Sequence, residues 1–353
     1  MSRGRARANS PDATTGAVPS EALAEPFPPV DLPIQPPYPP MEARAVTEIP
    51  SGDGWLYEPK WDGFRCIAFR NGDRVVLQSK AGQPLTRYFP EVVEALARLG
   101  PDAFVLDGEI VVPIEGVLSF DDLLQRIHPA PSRVRKLAAE TPATLLVFDL
   151  LVDAGGRVLI ERPLSERRPA LERFFSTLGG PQGLSLSPAT RDRALADRWM
   201  RELGAAGLDG VMAKRLDESY RSGDRSAMQK VKRLRTADCV VGGFRYAQKG
   251  GEIGSLLLGL YDDEGRLDHV GFSSSFTREE RAALKPVLEP LVEPPGFTGS
   301  APGGPSRWAS ERSTEWQPLR PVLVAEVRYD HFSGDRFRHG TRFLRWRPDK
   351  DPR

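Results

Sequence analysis

Glu58-Pro59-Lys60-Trp61-Asp62-Gly63-Phe64-Arg65 is the stretch on which the reading of this chain turns. Trp55-Leu56-Tyr57 before it and Cys66-Ile67-Ala68-Phe69 after it are apolar runs of strand type, so a lysine-centred polar cluster sits between two buried elements. A lysine so placed is a candidate nucleophile. It attacks only as a neutral amine, and an unperturbed ammonium with a pKa near ~10.4 is almost wholly charged at neutral pH. The expectation is that partial burial beside other cations or a metal ion lowers the Lys60 pKa.

Alone, Lys-x-Asp-Gly also suits a surface turn. Further motifs follow it in order. Leu106-Asp107-Gly108-Glu109-Ile110 ends a strand with two acids beside a glycine, and Phe148-Asp149-Leu150 puts an aromatic at the end of an apolar run. Asp209-Gly210-Val211-Met212-Ala213-Lys214 repeats the acid-glycine device. Lys230-Val231-Lys232 places two ammonium groups on one face of a strand, and Arg347-Pro348-Asp349-Lys350 lies at the far end.

The chain of 353 residues has room for two cores, and its 40% hydrophobic and 27% charged residues are those of a globular protein. No run approaches the roughly 18 apolar residues of a membrane span, and Met1-Ser2-Arg3-Gly4 opens no secretory signal, so a cytoplasmic protein is expected. Cys66 and Cys239 lie in apolar runs and read as buried thiols. The net charge is only +1, yet Val211–Arg235 holds eight Lys or Arg against three acids and Arg320–Arg353 nine against five. Those stretches are candidate polyanion contacts.

Residues 1–40 are rich in Pro, Ala and Ser and read as a disordered tail without a packed core, ending in an extended lead-in. Residues 41–235 mix strands (Arg74–Ser79, Ala103–Val112, Thr144–Leu151, Leu208–Lys214) with helices (Pro90–Arg98, Leu164–Leu178, Arg191–Leu203), an α+β pattern without doubly wound alternation. In 236–353 five strands (Cys239–Tyr246, Gly254–Tyr261, Leu267–Ser273, Val322–Tyr329, Thr341–Trp346), a helix from Thr277 to about Leu291 and a loop from Glu293 to Pro305 suit a small barrel of the oligonucleotide-binding (OB) type.

Taken together, the six motifs resemble those of the ATP-dependent DNA ligases, within the covalent nucleotidyltransferase superfamily of RNA ligases and capping enzymes. The resemblance spans roughly residues 40 to 353 and is strongest to the small stand-alone bacterial ligases of the ligase C group. It implies an adenylation domain of ATP-grasp-like antiparallel sheets with helices, then an OB-fold domain. By the same resemblance Lys60 takes AMP from ATP, passes it to the 5′-phosphate of a nick, and the 3′-hydroxyl then displaces it. Asp62 assists at that centre.

The resemblance assigns Glu58 to the adenine amino group, Arg65 to the ribose and Phe148 to stacking on the base. Arg65 would also bias Lys60 toward its neutral form. Lys214, Lys230 and Lys232 contact the nucleotide, and Glu109 and Asp209 hold Mg²⁺ (or Mn²⁺) against the phosphates. Asp209 departs from the glutamate usual at its position, being one methylene shorter. Ser79 and Lys80 stand where relatives carry Ser-Arg on the nick's 5′-phosphate, and lysine lacks the bidentate fork. Arg347 and Lys350 orient pyrophosphate, which requires the second domain to move between steps.

The implied cofactors are ATP and Mg²⁺, and the implied partners are nicked double-stranded DNA and DNA-repair proteins, with a monomeric enzyme. An RNA ligase or a guanylyltransferase is the alternative within the superfamily, separated by labelling with ATP against GTP. A non-catalytic protein that binds nicks or DNA ends is the alternative of another class, separated by nick sealing with Lys60→Ala.

Overall fold

In a computed structural model, residues 26–202, 208–233, 235–247, 251–303 and 315–353 are described. The chain separates into two compact units, Met1–Arg233 and Leu234–Arg353.

In chain order the first unit contains β1 (Arg44–Val46), β2 (Trp55–Trp61), β3 (Phe64–Asn71), β4 (Arg74–Ser79), α1 (Pro90–Ala97) and β5 (Ala103–Val111). A short hairpin of β6 (Pro113–Ile114) and β7 (Val117–Leu118) leads to α2 (Phe120–Gln125), α3 (Pro131–Glu140) and β8 (Thr144–Val152). Then come α4 (Leu164–Ser176), β9 (Leu184–Leu186), α5 (Arg193–Glu202), β10 (Leu208–Arg215) and β11 (Met228–Lys232).

These strands form a five-stranded sheet of order β4-β3-β5-β8-β9, antiparallel but for its β8–β9 edge, and a four-stranded sheet of order β1-β11-β10-β2. The step Asp62-Gly63 carries the chain from β2 in one sheet to β3 in the other. Only glycine fits there, since a Cβ at Gly63 would lie 2.2 Å from the Ile110 carbonyl oxygen.

Alternation along the strands decides what each sheet buries. Cys66, Ala68, Leu77, Leu106, Ile110 and Val147 pack with Val92 and Leu96 of α1, Val134 of α3 and Leu171 and Phe174 of α4. Truncating one fully buried member such as Leu96 to alanine would cost about 2–5 kcal/mol. The opposite face, with Ile67, Phe69, Val76 and Val105, is covered by Val30, Leu32 and Ile34. The expectation of an unpacked tail up to residue 40 is therefore corrected for residues 26–40. Three spaced aliphatic side chains suffice to seat a proline-rich strap on a sheet, and residues 1–25 lie outside the described set. In the four-stranded sheet Tyr57, Val211, Ala213 and Val231 pack on Ala196 of α5.

The second unit contains β12 (Arg235–Tyr246), β13 (Ile253–Tyr261), β14 (Leu267–Ser273), α6 (Arg278–Leu288), β15 (Gln317–Pro318), β16 (Val324–Tyr329), β17 (Phe332–Ser333), β18 (Arg336–Phe337) and β19 (Arg342–Trp346). The order β14-β13-β12-β16-β19 is closed by a parallel bridge between Ser273 and Thr341, which makes the sheet a barrel around Cys239, Val241, Phe244, Leu256, Leu258 and Val327. Thr277 caps α6 and Glu280 returns the bond to the cap, which fixes where that helix begins. Its helical hydrogen bonding stops at Leu288, before the expected Leu291, and a tight 3₁₀ turn covers Glu289–Leu291. Helices α2 and α3 had no counterpart in the sequence reading.

Leu203, at the end of the expected Arg191–Leu203 helix, and residues 304 and 305, at the end of the expected loop, lie outside the described residues. Among the described residues no helix is long and apolar enough to cross a membrane. Both cysteines are free and buried, and burial pushes the Cys239 thiol up to about 12.

Candidate active site

Strand register assembles the site. Lys60 of β2 lies opposite Gly210 of β10, which lies opposite Lys232 of β11; Glu58, Met212 and Lys230 form the next row. Because Tyr57, Val211 and Val231 face the core, Glu58, Lys60, Lys214, Lys230 and Lys232 share the other face. The row needs Gly210, whose φ is +152° and where a Cβ would meet the Val231 carbonyl oxygen at 2.0 Å. The irregular pairing between Leu208 and Gly210 directs Asp209 to Lys60, with Asp209 Oδ2 2.5 Å from Lys60 Nζ.

This contact corrects the expectation of a lowered Lys60 pKa. Burial pulls the value down, but Asp209, by charge and hydrogen bond, together with Asp62 and Glu109 outweighs it, and the net shift is upward. Three carboxylates thus hold Lys60 as an ammonium. Burial also pushes the Glu109 carboxyl up to about 7, against the pull of Arg65 and Lys60.

Arg65 is paired with a carboxylate: its Nε and Nη2 each donate to Asp107 at 2.6 Å, and Asp107 is fully buried, which weakens the positive field expected of Arg65 at Lys60. The Tyr220 hydroxyl donates to Asp107 Oδ2 at 2.6 Å and accepts from the Met41 amide at 3.0 Å, while Arg65 Nη2 reaches the Met41 carbonyl at 3.2 Å. In the sequence Asp107 stood as one of two acids beside Gly108 with no role of its own, and Tyr220 was missed; a tyrosine in Glu218-Ser219-Tyr220 reads as ordinary core.

Phe148 is 8% exposed and meets two cations, the Arg65 guanidinium carbon 4.6 Å and Lys214 Nζ 4.3 Å from its ring centre. Glu58 is 1% exposed, and its Oε2 lies 2.7 Å from Lys214 Nζ. Its Oε1 lies 3.7 Å from Nη1 of Arg168, a residue of α4 that the sequence reading passed over. Next to Phe148, Asp149 binds Arg167 through both oxygens at 2.9 and 3.0 Å; Arg167 outweighs burial and holds this carboxyl below its usual range.

Ser79 is buried, and its Oγ accepts from the Gln83 amide at 3.0 Å, which anchors a turn and does not use its O–H donor. Lys80 Nζ lies 3.3 Å from Glu42, which Arg225 also pairs at 2.9 Å, so a guanidinium stands beside the lysine after all. In the second unit Arg347 is ringed by Asp238 at 2.9 Å, Glu326 at 3.7 Å and Asp349 at 2.8 Å, so its fork is already engaged; Lys350 donates its backbone amide to the Arg347 carbonyl at 3.1 Å.

Among the described residues no group of three or more His, Cys, Asp or Glu forms a ready metal cage. Glu109 and Asp209 both act on Lys60 and are hard oxygen donors of the kind a divalent ion takes, and burial strains the Glu109 charge that such an ion would offset. Such an ion would complete its shell with phosphate oxygens and water, as Mg²⁺ commonly does.

The sequence matches the ATP dependent DNA ligase domain over residues 40–232 and the ATP dependent DNA ligase C terminal region over residues 249–350. DNA ligase C2 of Mycolicibacterium smegmatis is 48% identical over 339 residues, which cover 92% of this chain and 94% of that protein. The multifunctional non-homologous end joining protein LigD of the same species is 32% identical over 304 residues, 84% of this chain and 36% of that protein. A solved Lig E DNA ligase has the same fold, with a TM-score of 0.53 at 15% identity over 87% of this chain and 99% of that one. Since both ligase regions follow in order and nearly half the residues are shared along nearly the whole of one such relative, the chain belongs to the ATP-dependent DNA ligase family.

Proposed function

We propose that this ATP-dependent DNA ligase seals nicks in duplex DNA through a lysyl-AMP on Lys60. The observation that carries the reading is the row of Lys60, Gly210 and Lys232, with Asp209 on the amine and Glu58 one row away. In the first stage the neutral amine attacks the α-phosphorus of ATP. The N–P bond forms as the bond to the bridging oxygen breaks, and pyrophosphate leaves with the electron pair. The proton that the ammonium must first lose is already hydrogen-bonded to Asp209. In the second stage an oxygen of the nick's 5′-phosphate attacks the same phosphorus and the N–P bond breaks. In the third the 3′-hydroxyl attacks the activated 5′-phosphate and AMP departs.

Lys230 and Lys232 lie on the face where negative charge builds during transfer, which is where fixed cations contribute most. A divalent ion held by Glu109 and Asp209 would supply further positive charge beside the phosphates. Asp209, already hydrogen-bonded to the Lys60 ammonium, is also the group placed to take its proton. Arg65 is held by Asp107 for the ribose, and Lys80 with Arg225 forms the basic pair for the 5′-phosphate. Arg347 and Lys350 orient pyrophosphate only if the second unit reaches the pocket and Arg347 exchanges a carboxylate partner for phosphate oxygens. The end joining in one relative's name supports a place in DNA repair.

The test uses α-labelled ATP with the whole chain. Wild type should take up a label whose lability in acid and stability in alkali assign it to a phosphoramidate, Lys60→Ala should take up none, and GTP should not substitute. Adduct on another residue, or from GTP alone, would overturn the proposal.

A further inference from the structure

We infer that Arg168 is a positioning residue for base selection: it holds the Glu58 carboxylate so that one oxygen faces the 6-amino group of adenine. The inference rests on the proposed adenylation and adds to it a residue on α4 that the family motifs of the sequence reading do not include.

The guanidinium is 7% exposed and pinned on two edges. Nε donates to Glu172 Oε1 at 2.8 Å, and Nη2 donates to the Ser187 carbonyl at 2.8 Å. The third edge, Nη1, is left facing Glu58 Oε1 at 3.7 Å. That distance is too long for a hydrogen bond. Glu58 Oε1 and Arg168 Nη1 are both buried atoms without a hydrogen-bond partner, in a site where Glu58 is 1% exposed. Lys214 Nζ on the other oxygen is likewise outside hydrogen-bond geometry, so both cations hold the carboxylate by charge and Oε1 keeps its lone pairs for a ligand's donor.

The chemistry of that edge follows from the donors and acceptors. An ionised carboxylate accepts hydrogen bonds and donates none. The adenine 6-amino group donates to it, whereas the guanine 6-oxygen would set lone pairs against lone pairs. With Lys214 alone on Oε2, the carboxylate could turn about its last bond and withdraw Oε1. Arg168, braced from α4 and Ser187, attracts Oε1 from the other side and stops that turn. Selection for adenine therefore needs both cations, one from β10 and one from α4.

Deleting the ligand group and the protein group in turn tests this. The rate of enzyme–AMP formation is measured with ATP and with purine riboside triphosphate, which lacks only the 6-amino group, at saturating Mg²⁺. Wild type should favour ATP in kcat/KM by about 10- to 100-fold, the range for a hydrogen bond to a charged group. Arg168→Ala should cut that preference to within about threefold by slowing ATP alone, and Arg168→Lys should recover part of it. Glu172→Ala, at a half-exposed position, loosens the brace without opening the core and should lower the preference by about two- to fivefold. Circular dichroism melts exclude unfolding as the cause. Equal loss on both triphosphates in Arg168→Ala, or an unchanged preference in both the Arg168→Ala and Glu172→Ala proteins, would overturn the inference. Failure of wild type to form any lysyl-AMP would instead strike the proposed function.

Discussion

Replacing Asp149 by asparagine removes a charge and almost no volume, and the structure sets what that should cost. Arg167 is 1% exposed and Asp149 2%, and they meet through two hydrogen bonds of 2.9 and 3.0 Å. The remaining acceptors for the guanidinium are the carbonyls of Arg162 at 2.7 Å and Glu218 at 3.1 Å, which carry no net charge. Asp149→Asn therefore leaves a buried cation without its counter-ion, a change worth about 3–5 kcal/mol, or a factor of about 10² to 10³·⁵ in the folding equilibrium of the first unit. Removing both charges, with Asp149→Leu and Arg167→Met together, should cost markedly less than the single change, because no orphaned charge remains. Urea unfolding followed by signals from the first unit measures both. Asp149 has a lowered pKa in the folded protein, so its stabilisation is complete above the unfolded value near ~3.9 and is lost as pH falls through the folded value. The gap between wild type and Asp149→Asn should thus hold from pH 8 to 5 and close in stronger acid. A single variant within about 1 kcal/mol of wild type at pH 7, or a double variant as costly as the single, would refute the reasoning.

Three further outcomes follow from the site and the barrel. Gly210→Ala places a Cβ 2.0 Å from the Val231 carbonyl and should force β10 and β11 apart, lowering stability by roughly 2 kcal/mol or more and abolishing adenylate formation, as melts and labelling would record. Glu109 has a folded pKa of about 7, above its ordinary value, so its burial opposes folding increasingly as pH rises from 4.5 to 7; Glu109→Gln should raise the melting temperature of metal-free protein at pH 8 and leave it unchanged at pH 4. Burial and the neighbouring Arg336 and Arg245 lower His269 to about 4, so its ring should stay neutral in an NMR titration until the pH nears that value, and a midpoint above 6 would contradict the burial in β14.

The sequence was informative where chemistry and periodicity coincide. Lys60, Glu109 and Lys214 could be singled out because each ends or interrupts an apolar run of strand length, and α1 and α4 could be placed because their apolar positions repeat at helical spacing. What it could not carry is partnership across distance. Asp209 lies 149 positions from Lys60, and only the irregular pairing at Leu208/Gly210 turns its carboxylate onto the amine, reversing the expected direction of the pKa. Arg168 sits in Leu164-Ser165-Glu166-Arg167-Arg168, which reads as a solvated helix face until Ser187 and Glu58 close over it. Helix α3 did leave a signal, since Pro131 followed by Ser-Arg-Val-Arg-Lys-Leu-Ala-Ala-Glu is a proline at the first helical position before good helix formers. Its only buried member is Val134, too thin an apolar stripe to register.

The strap from residue 26 to Met41 bears on how this catalyst can be trimmed. The ligase-domain match begins at residue 40, yet Val30, Leu32 and Ile34 roof one side of the five-stranded sheet, and the Met41 main chain ties Arg65 to Tyr220. A fragment cut at the homology boundary would bare an oily groove and leave the Met41 main chain, one residue from the new terminus, without the strap that holds it against Arg65 and Tyr220. Adding back a synthetic peptide of residues 26–39 should then anneal into the groove and recover nucleotide affinity, a complementation that a mere leader sequence could not provide.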